Sequence, residues 1–288
     1  MSELITLVVD GRHGHASVDI DPAAGCRVAQ ITVDGHPLLV DPGARDPQSV
    51  MWGAYPMAPW AGRIRHGQFR LFGVDRELEL NTEDGDGNDP NRRHALHGTV
   101  FDRAWTVETA TATTVTASCP LAAPERSTPS LRHFGWTFGG TAHQTLELLD
   151  GQLCCHLSIE VDHEDHAPFL GEVGWHPWFR TPDALSFHPD AMYERDEVGL
   201  PTGRLVEPAP APWDDCFVNT APVTLHYGEP DLGLTLTLSS DCDHWVIYST
   251  PDDAICCEPQ SGPPDAFNIR PRLVTHTHPL RRTMNIAW

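Results

Sequence analysis

The 288-residue chain contains no lysine: all 19 of its basic residues are arginine. That excludes a lysine Schiff base, and with it class I aldolase and pyridoxal phosphate chemistry. It also excludes a phosphate-binding loop of the Gly-Lys-Ser/Thr type. Positive charge is scarce altogether. Forty Asp and Glu face those 19 Arg, a formal net charge of −21, which argues against nucleic acid and anionic membranes as partners. Long apolar runs are missing as well: nothing approaches the ~18 consecutive apolar residues of a transmembrane helix. The opening "MSELITLVVDGRHGH" lacks the basic region and long apolar core of a signal peptide.

Two further absences concern chemistry. No Gly-x-Ser-x-Gly occurs, so a serine hydrolase of the nucleophile-elbow type is not expected. No Cys-x-x-Cys occurs among the eight cysteines either. Cys154-Cys155 and Cys256-Cys257 are adjacent pairs, and neighbours in a strand point to opposite faces. They read as small core residues rather than a disulfide framework. A reduced, cytoplasmic protein is the expectation.

What is present is strand. Hydrophobic content is 40% and charged content 20%, as in soluble globular proteins. The stretches at 153–162, 232–240, 245–250 and 281–288 are short, apolar and β-branched, several with period two. The Thr-rich stretch 106–120 alternates too. Asp-Gly turns stand at 34–35 and 150–151. With 26 Pro and 23 Gly, no helix longer than about two turns is predicted. Strands at short spacing without intervening helices predict an all-β fold, an antiparallel sandwich or barrel. No repeat and no linker divides the chain, which reads as one domain over 1–288. Loops are expected at 81–93, 121–129 and 206–214.

Four stretches depart from simple alternation: "PWAGRIRHGQF" (59–69), "HALHGTV" (94–100), "GWHPWF" (174–179) and "EPQSGPPDAFN" (258–268). A fifth, weaker one is "PWDDCF" (212–217). Singly, each has a plain reading. His97 before Gly98 reads as a turn histidine, His176 as a core histidine, Arg63 as a surface cation, and Asp214 and Asp215 as turn caps. Glu258 is harder to dismiss, because a carboxylate ending an apolar run is rarely buried without a partner or a purpose. Together they make an acid–base set: two carboxylates, two imidazoles and an arginine. The 17 histidines raise the question of a metal. His13 and His15, or His276 and His278, would share a face if each segment were a strand. Neither pair has a carboxylate at a short regular offset, and no functional metal is expected.

The ordered motifs "PWAGRIRHGQF", "LHG", "GWHPWF", "DDCF" and "CCEPQSGPPDAFN", spanning about 56–268, resemble those of the aldose 1-epimerases (galactose mutarotases). The resemblance implies a large antiparallel β-sandwich of the galactose mutarotase type. It implies interconversion of the α and β anomers of a free aldose, with no cofactor and no metal, by a monomer or homodimer. Carried over residue by residue, Glu258 matches the base that deprotonates the C1 hydroxyl. His176 matches the acid that protonates the ring oxygen, and His97 a second histidine near that oxygen. Arg63 and Asp214 match groups that hold the sugar, with Asp215 as the alternative to Asp214, and Trp178 joins the substrate-binding set. An ionised Glu258 beside a protonated His176 is the expected working state. The chain departs from the family in two places: Gly62 stands where many members have Asn, and "GWHPWF" where many have an "NHTYF"-like stretch. Some divergent relatives act on sugar phosphates, and Arg63, Arg65, Arg92 and Arg93 would suit one. A non-catalytic carbohydrate-binding sandwich is the remaining alternative.

Overall fold

The computed structural model describes residues 3–42, 50–82, 93–122, 135–228 and 233–288. Most of the loops expected at 81–93 and 121–129, and Arg92, lie outside them. The described residues form an all-β, antiparallel sandwich. One sheet has eleven strands and a second has eight. The residues buried on both sheets belong to one hydrophobic cluster. The only α-helix among the described residues is the single turn Ala266–Ile269. None is long and apolar enough to cross a membrane.

Period-two patterning explains the eight-stranded sheet. Thr141–Leu149 buries every second residue: Ala142, Gln144, Leu146 and Leu148. These face the core while Thr141, His143, Thr145 and Glu147 face outward. The Thr-rich stretch 106–120 proves to be two strands, Thr106–Ala110 and Thr114–Pro120, closed by a short turn. The Asp34-Gly35 turn has positive φ at both residues, 48° and 84°, the geometry that favours Asp-Gly in a two-residue hairpin.

Two strands break the pattern. Ala254–Gln260 is buried at all seven positions, and Gly174–Arg180 at all but the last. They are neighbours at the centre of the eleven-stranded sheet. One face of this pair packs into the sandwich through Trp175, Phe179, Ile255 and Cys257. The other faces segments 58–64, 95–99 and 261–269, which are stapled to one another. His97 N–H donates to the Gly62 carbonyl (2.8 Å), Thr99 N–H to Ala58 (2.7 Å) and Asp265 N–H to Arg63 (2.6 Å).

Candidate active site

The register of the two central strands assembles the site. Gly174 pairs with Gln260 and Trp178 with Cys256, which sets His176 opposite Glu258. On the flanks, Tyr55 pairs with His176, Val246 with Glu258 and Cys216 with Val246. One cross-strand row thus runs Tyr55–His176–Glu258–Val246–Cys216. The next runs Trp178–Cys256–Tyr248–Asp214. Paired residues and residues two apart share a face, so the two rows form one surface.

His176 Nε2 lies 3.3 Å from Glu258 Oε1. Both are buried, 6% and 3% exposed. Gln260 Nε2 donates to the other carboxylate oxygen at 3.1 Å. The His176 ring is clamped between Trp178 (5.2 Å between centroids, 10° between planes) and Tyr55 (4.9 Å, 28°). Behind Tyr55, the buried Arg27 guanidinium lies over its ring at 4.6 Å and over Trp52 at 4.2 Å. The guanidinium is also tied to the Trp52 carbonyl (2.8 Å). The imidazole plane is therefore fixed by packing, a condition for precise proton transfer.

His97 stands edge-on to His176, with centroids 5.0 Å apart and planes at 89°. Its Nδ1, like that of His176, is buried without a hydrogen-bond partner. His97 has a φ of +60°. The following Gly98 lets its segment run against Ala58, where a Cβ would meet the Ala58 carbonyl oxygen at 2.0 Å. Gly62 is also left-handed, and its Cβ position lies 3.1 Å from Pro264. The Asn common in the family would press on Pro264 here, a steric reason for this departure.

Arg63, Asp214 and Asp215 line a cleft of ≈ 690 Å³ whose far wall is the Glu194–Gly199 turn region. Arg63 and Asp214 also act electrostatically on Glu258. The structure thus brings Glu258, His176, His97, Arg63, Asp214 and Trp178 together. Arg195 pairs with both aspartates, more closely with Asp215 (2.9 Å) than with Asp214 (3.4 Å). Arg65 is likewise held, by Asp196 (2.8 Å) and Asp265 (3.6 Å). Arg63 enters none of the ion pairs among the described residues. Of the histidine pairs considered for a metal, His13 and His15 separate onto different carboxylates, Asp150 and Asp10.

Burial acts against the charge state expected for the pair. Burial lowers the His176 pKa to about 3, with Arg27 and Arg63 adding to the effect. Burial, followed by Asp214, raises Glu258 well above the usual carboxylate range. His97 is also pushed down, by burial and then by His176. Burial thus favours the neutral pair, with its single proton on the carboxyl, because a dry site penalises separated charge. An ionised Glu258 beside a protonated His176 is the higher-energy arrangement of that same proton.

Opposite shifts widen the range over which the pair carries one proton. An NMR titration is expected to show the His176 and His97 ring resonances flat from about pH 8 to pH 5, where a free imidazole titrates near ~6.5. The unfolded chain takes up these protons first, near ~6.5, and folded His176 only near 3. His176 therefore withdraws stability as pH falls from about 6.5 toward about 3, and His97, also held low by burial, acts in the same direction.

Residues the sequence reading passed over complete the site. Tyr55 lies just before the 59–69 motif and Gln260 within the 258–268 motif, where the i, i+2 spacing of Glu258 and Gln260 was a readable signal. Glu172 gave none. It is 1% exposed and joins the two segments above the pair. Its N–H donates to the Pro59 carbonyl (2.7 Å), and its Oε2 accepts from Ala61 N–H (3.4 Å). Next to it, Val173 N–H donates to Ser261 Oγ (2.9 Å). Burial drives the Glu172 pKa up, against the Ala61 amide and Arg272. A neutral carboxyl is mimicked by an amide, so Glu172→Gln is expected to melt near wild type. Glu172→Ala is expected to lose about 1–3 kcal/mol in urea unfolding, since it strands buried donors.

The comparisons with known proteins agree with this architecture. Residues 8–278 match the family model described as aldose 1-epimerase, and the chain belongs to the aldose 1-epimerase family. It is 26% identical over 271 residues to the uncharacterized protein YihR of Escherichia coli (strain K12), covering 85% of this chain and 80% of that protein. Among solved structures it shares its fold with the GalM/aldose epimerase homologue from C. elegans (TM-score 0.77, 17% identity, 100% and 98% of the two chains covered). It also shares it with galactose 1-epimerase from Lactobacillus acidophilus NCFM (TM-score 0.71, 16% identity, 99% and 98% covered).

Proposed function

We propose that the protein is an aldose 1-epimerase that interconverts the α and β anomers of a neutral free aldose by acid–base ring opening and closure. The observation that carries this reading is the buried Glu258–His176 pair, 3.3 Å apart, with Arg63 and Asp214 at the adjoining cleft. Opening the ring requires that one proton leave the C1 hydroxyl while another reaches the ring oxygen. Two neighbouring groups that share one proton do this without solvent.

A bound sugar would offset the cost of separating charge in the pair. Sugar hydroxyls donating to Glu258, with the Arg63 guanidinium nearby, favour the ionised carboxylate. The proton then crosses to His176. Glu258 takes the C1 hydroxyl proton, His176 gives its proton to the ring oxygen, and the open-chain aldehyde forms. The pair is then neutral, the state that burial prefers. Rotation about C1–C2 presents the other face of the carbonyl, and the reverse transfers close the ring. His97 polarises the ring oxygen, Asp214 holds ring hydroxyls, and Trp178 keeps the His176 plane fixed while bordering the sugar.

A free sugar suits the cleft better than a phosphorylated one. Glu194, Asp196, Glu197, Asp214 and Asp215 line it against Arg63 and Arg195, and Arg195 is already engaged by Asp214 and Asp215. The eight unpaired, buried thiols support a reducing compartment such as the cytoplasm. Polarimetry of freshly dissolved α-D-glucose and α-D-galactose tests the proposal. Faster approach to anomeric equilibrium supports it. Acceleration with glucose 6-phosphate alone would replace the free sugar by the phosphorylated one. Binding of sugar with no acceleration of either would make the protein a carbohydrate-binding sandwich.

A further inference from the structure

The reaction makes no use of Cys256, yet this cysteine shares the site's surface. It is fully buried, two residues before Glu258 on the same strand and paired in register with Trp178. One imidazole nitrogen of His176, the sulfur of Cys256 and one carboxylate oxygen of Glu258 all lie within 4.8 Å of one another. Among the described residues this is the one such group of His, Cys, Asp or Glu.

We propose that His176, Cys256 and Glu258 form a binding site for a thiophilic divalent cation of the zinc class, and that its occupation blocks the acid–base pair. Imidazole, thiolate and carboxylate are each zinc ligands, and three protein ligands would leave a fourth position open. Tetrahedral bonds of about 2.0–2.3 Å separate ligand atoms by roughly 3.3–3.7 Å. The His176–Glu258 distance of 3.3 Å already meets that spacing, and the thiol needs only a small side-chain turn toward the pair. All three ligands stand on the two central strands, so no loop has to order. The charges cancel. The Cys256 thiol and the Glu258 carboxyl each release a proton to the buffer, and their two negative charges balance the dication. A buried site accepts such a complex far more readily than a bare charge. The open position is left for water or a sugar hydroxyl. The site rests on the same residues as the epimerase reading but does not depend on it, because the ion is detected without turnover.

Cobalt(II) titration of metal-free protein is the test. A thiolate ligand gives a near-ultraviolet sulfur-to-cobalt charge-transfer band. The exposed histidine cluster of His163, His166 and His276, around a cavity of ≈ 630 Å³, has no sulfur and cannot produce it. Wild type is expected to develop the band to one equivalent, and zinc to erase it. Cys257→Ser should keep the band, since that side chain points into the sandwich; Cys256→Ser, or Cys256→Ala should serine not fold, should lose it. Zinc half-inhibition, scored against each protein's own metal-free rate, should need at least about tenfold more metal in the Cys256 variant. No band in wild type, or a band that survives at Cys256→Ser, overturns the proposal. A protein with the band but no epimerase activity keeps the metal site and overturns the proposed function instead.

Discussion

Glu258→Gln is expected to slow anomeric equilibration by about 10²–10⁴-fold while the protein keeps its fold. The amide fills the same space in the strand Ala254–Gln260 and faces the same neighbours, His176 Nε2 and Gln260 Nε2. It cannot take a proton from the C1 hydroxyl. The measurement is polarimetry on freshly dissolved α anomer, with sugar affinity followed separately by calorimetry. Because burial already favours the neutral carboxyl, an uncharged replacement costs little in the folded state. The two readouts should therefore part: rate lost, melting temperature and affinity nearly kept. A variant that retains more than a tenth of the wild-type rate would move the base elsewhere in the cleft.

Gly98→Ala is the second large effect, and it comes from the backbone. The residue has a φ of +82°, and a Cβ would sit 2.0 Å from the Ala58 oxygen and 2.4 Å from its carbon. Both are backbone atoms, locked by the Thr99–Ala58 hydrogen bond, so no side chain can swing away. Left-handed strain costs about 1–3 kcal/mol by itself, and the clash adds to it. A loss of about 3 kcal/mol or more corresponds to a melting point lower by roughly 6–12 °C. Gly73→Ala separates the two causes: its φ is +79°, but nothing lies within 4 Å of the new carbon. It should cost only about 1–2 kcal/mol. If both variants melt alike, close approach to Ala58 is not what glycine serves at position 98. Since His97 precedes Gly98, the clash is also expected to lower the rate of whatever protein remains folded.

Much of this was readable from residues alone. The short β-branched stretches at 153–162 and 281–288 and the Asp-Gly turns point to antiparallel strands, and the chain folds that way. The motifs around Arg63, His97, His176 and Glu258 were legible because each breaks its alternation with a polar group. What the sequence hid is partnership across strands. Nothing local says that Tyr55 will stack on His176, or that Arg27 will lie beneath Tyr55, because these contacts depend on register between distant segments. Glu172 was silent for the same reason: its partners, Ala61 and the turn at 261–262, are about a hundred residues away on either side. Burial acts against the charge state expected for the pair, and no single stretch of sequence carries that term. Only the structure shows that both groups are almost wholly withdrawn from water.

The two cross-strand rows have an evolutionary consequence. A single-residue insertion or deletion within Ala254–Gln260 would rotate the following side chains through half a turn. Deleting one residue ahead of Glu258, for example, would point the carboxylate into the sandwich and bring its apolar neighbours to the cleft. The reading frame of strand pairing therefore encodes both the hydrophobic core and the proton-transfer pair. The central strands can therefore change residue by residue, but a change in length would take the buried carboxylate and imidazole out of phase with the core.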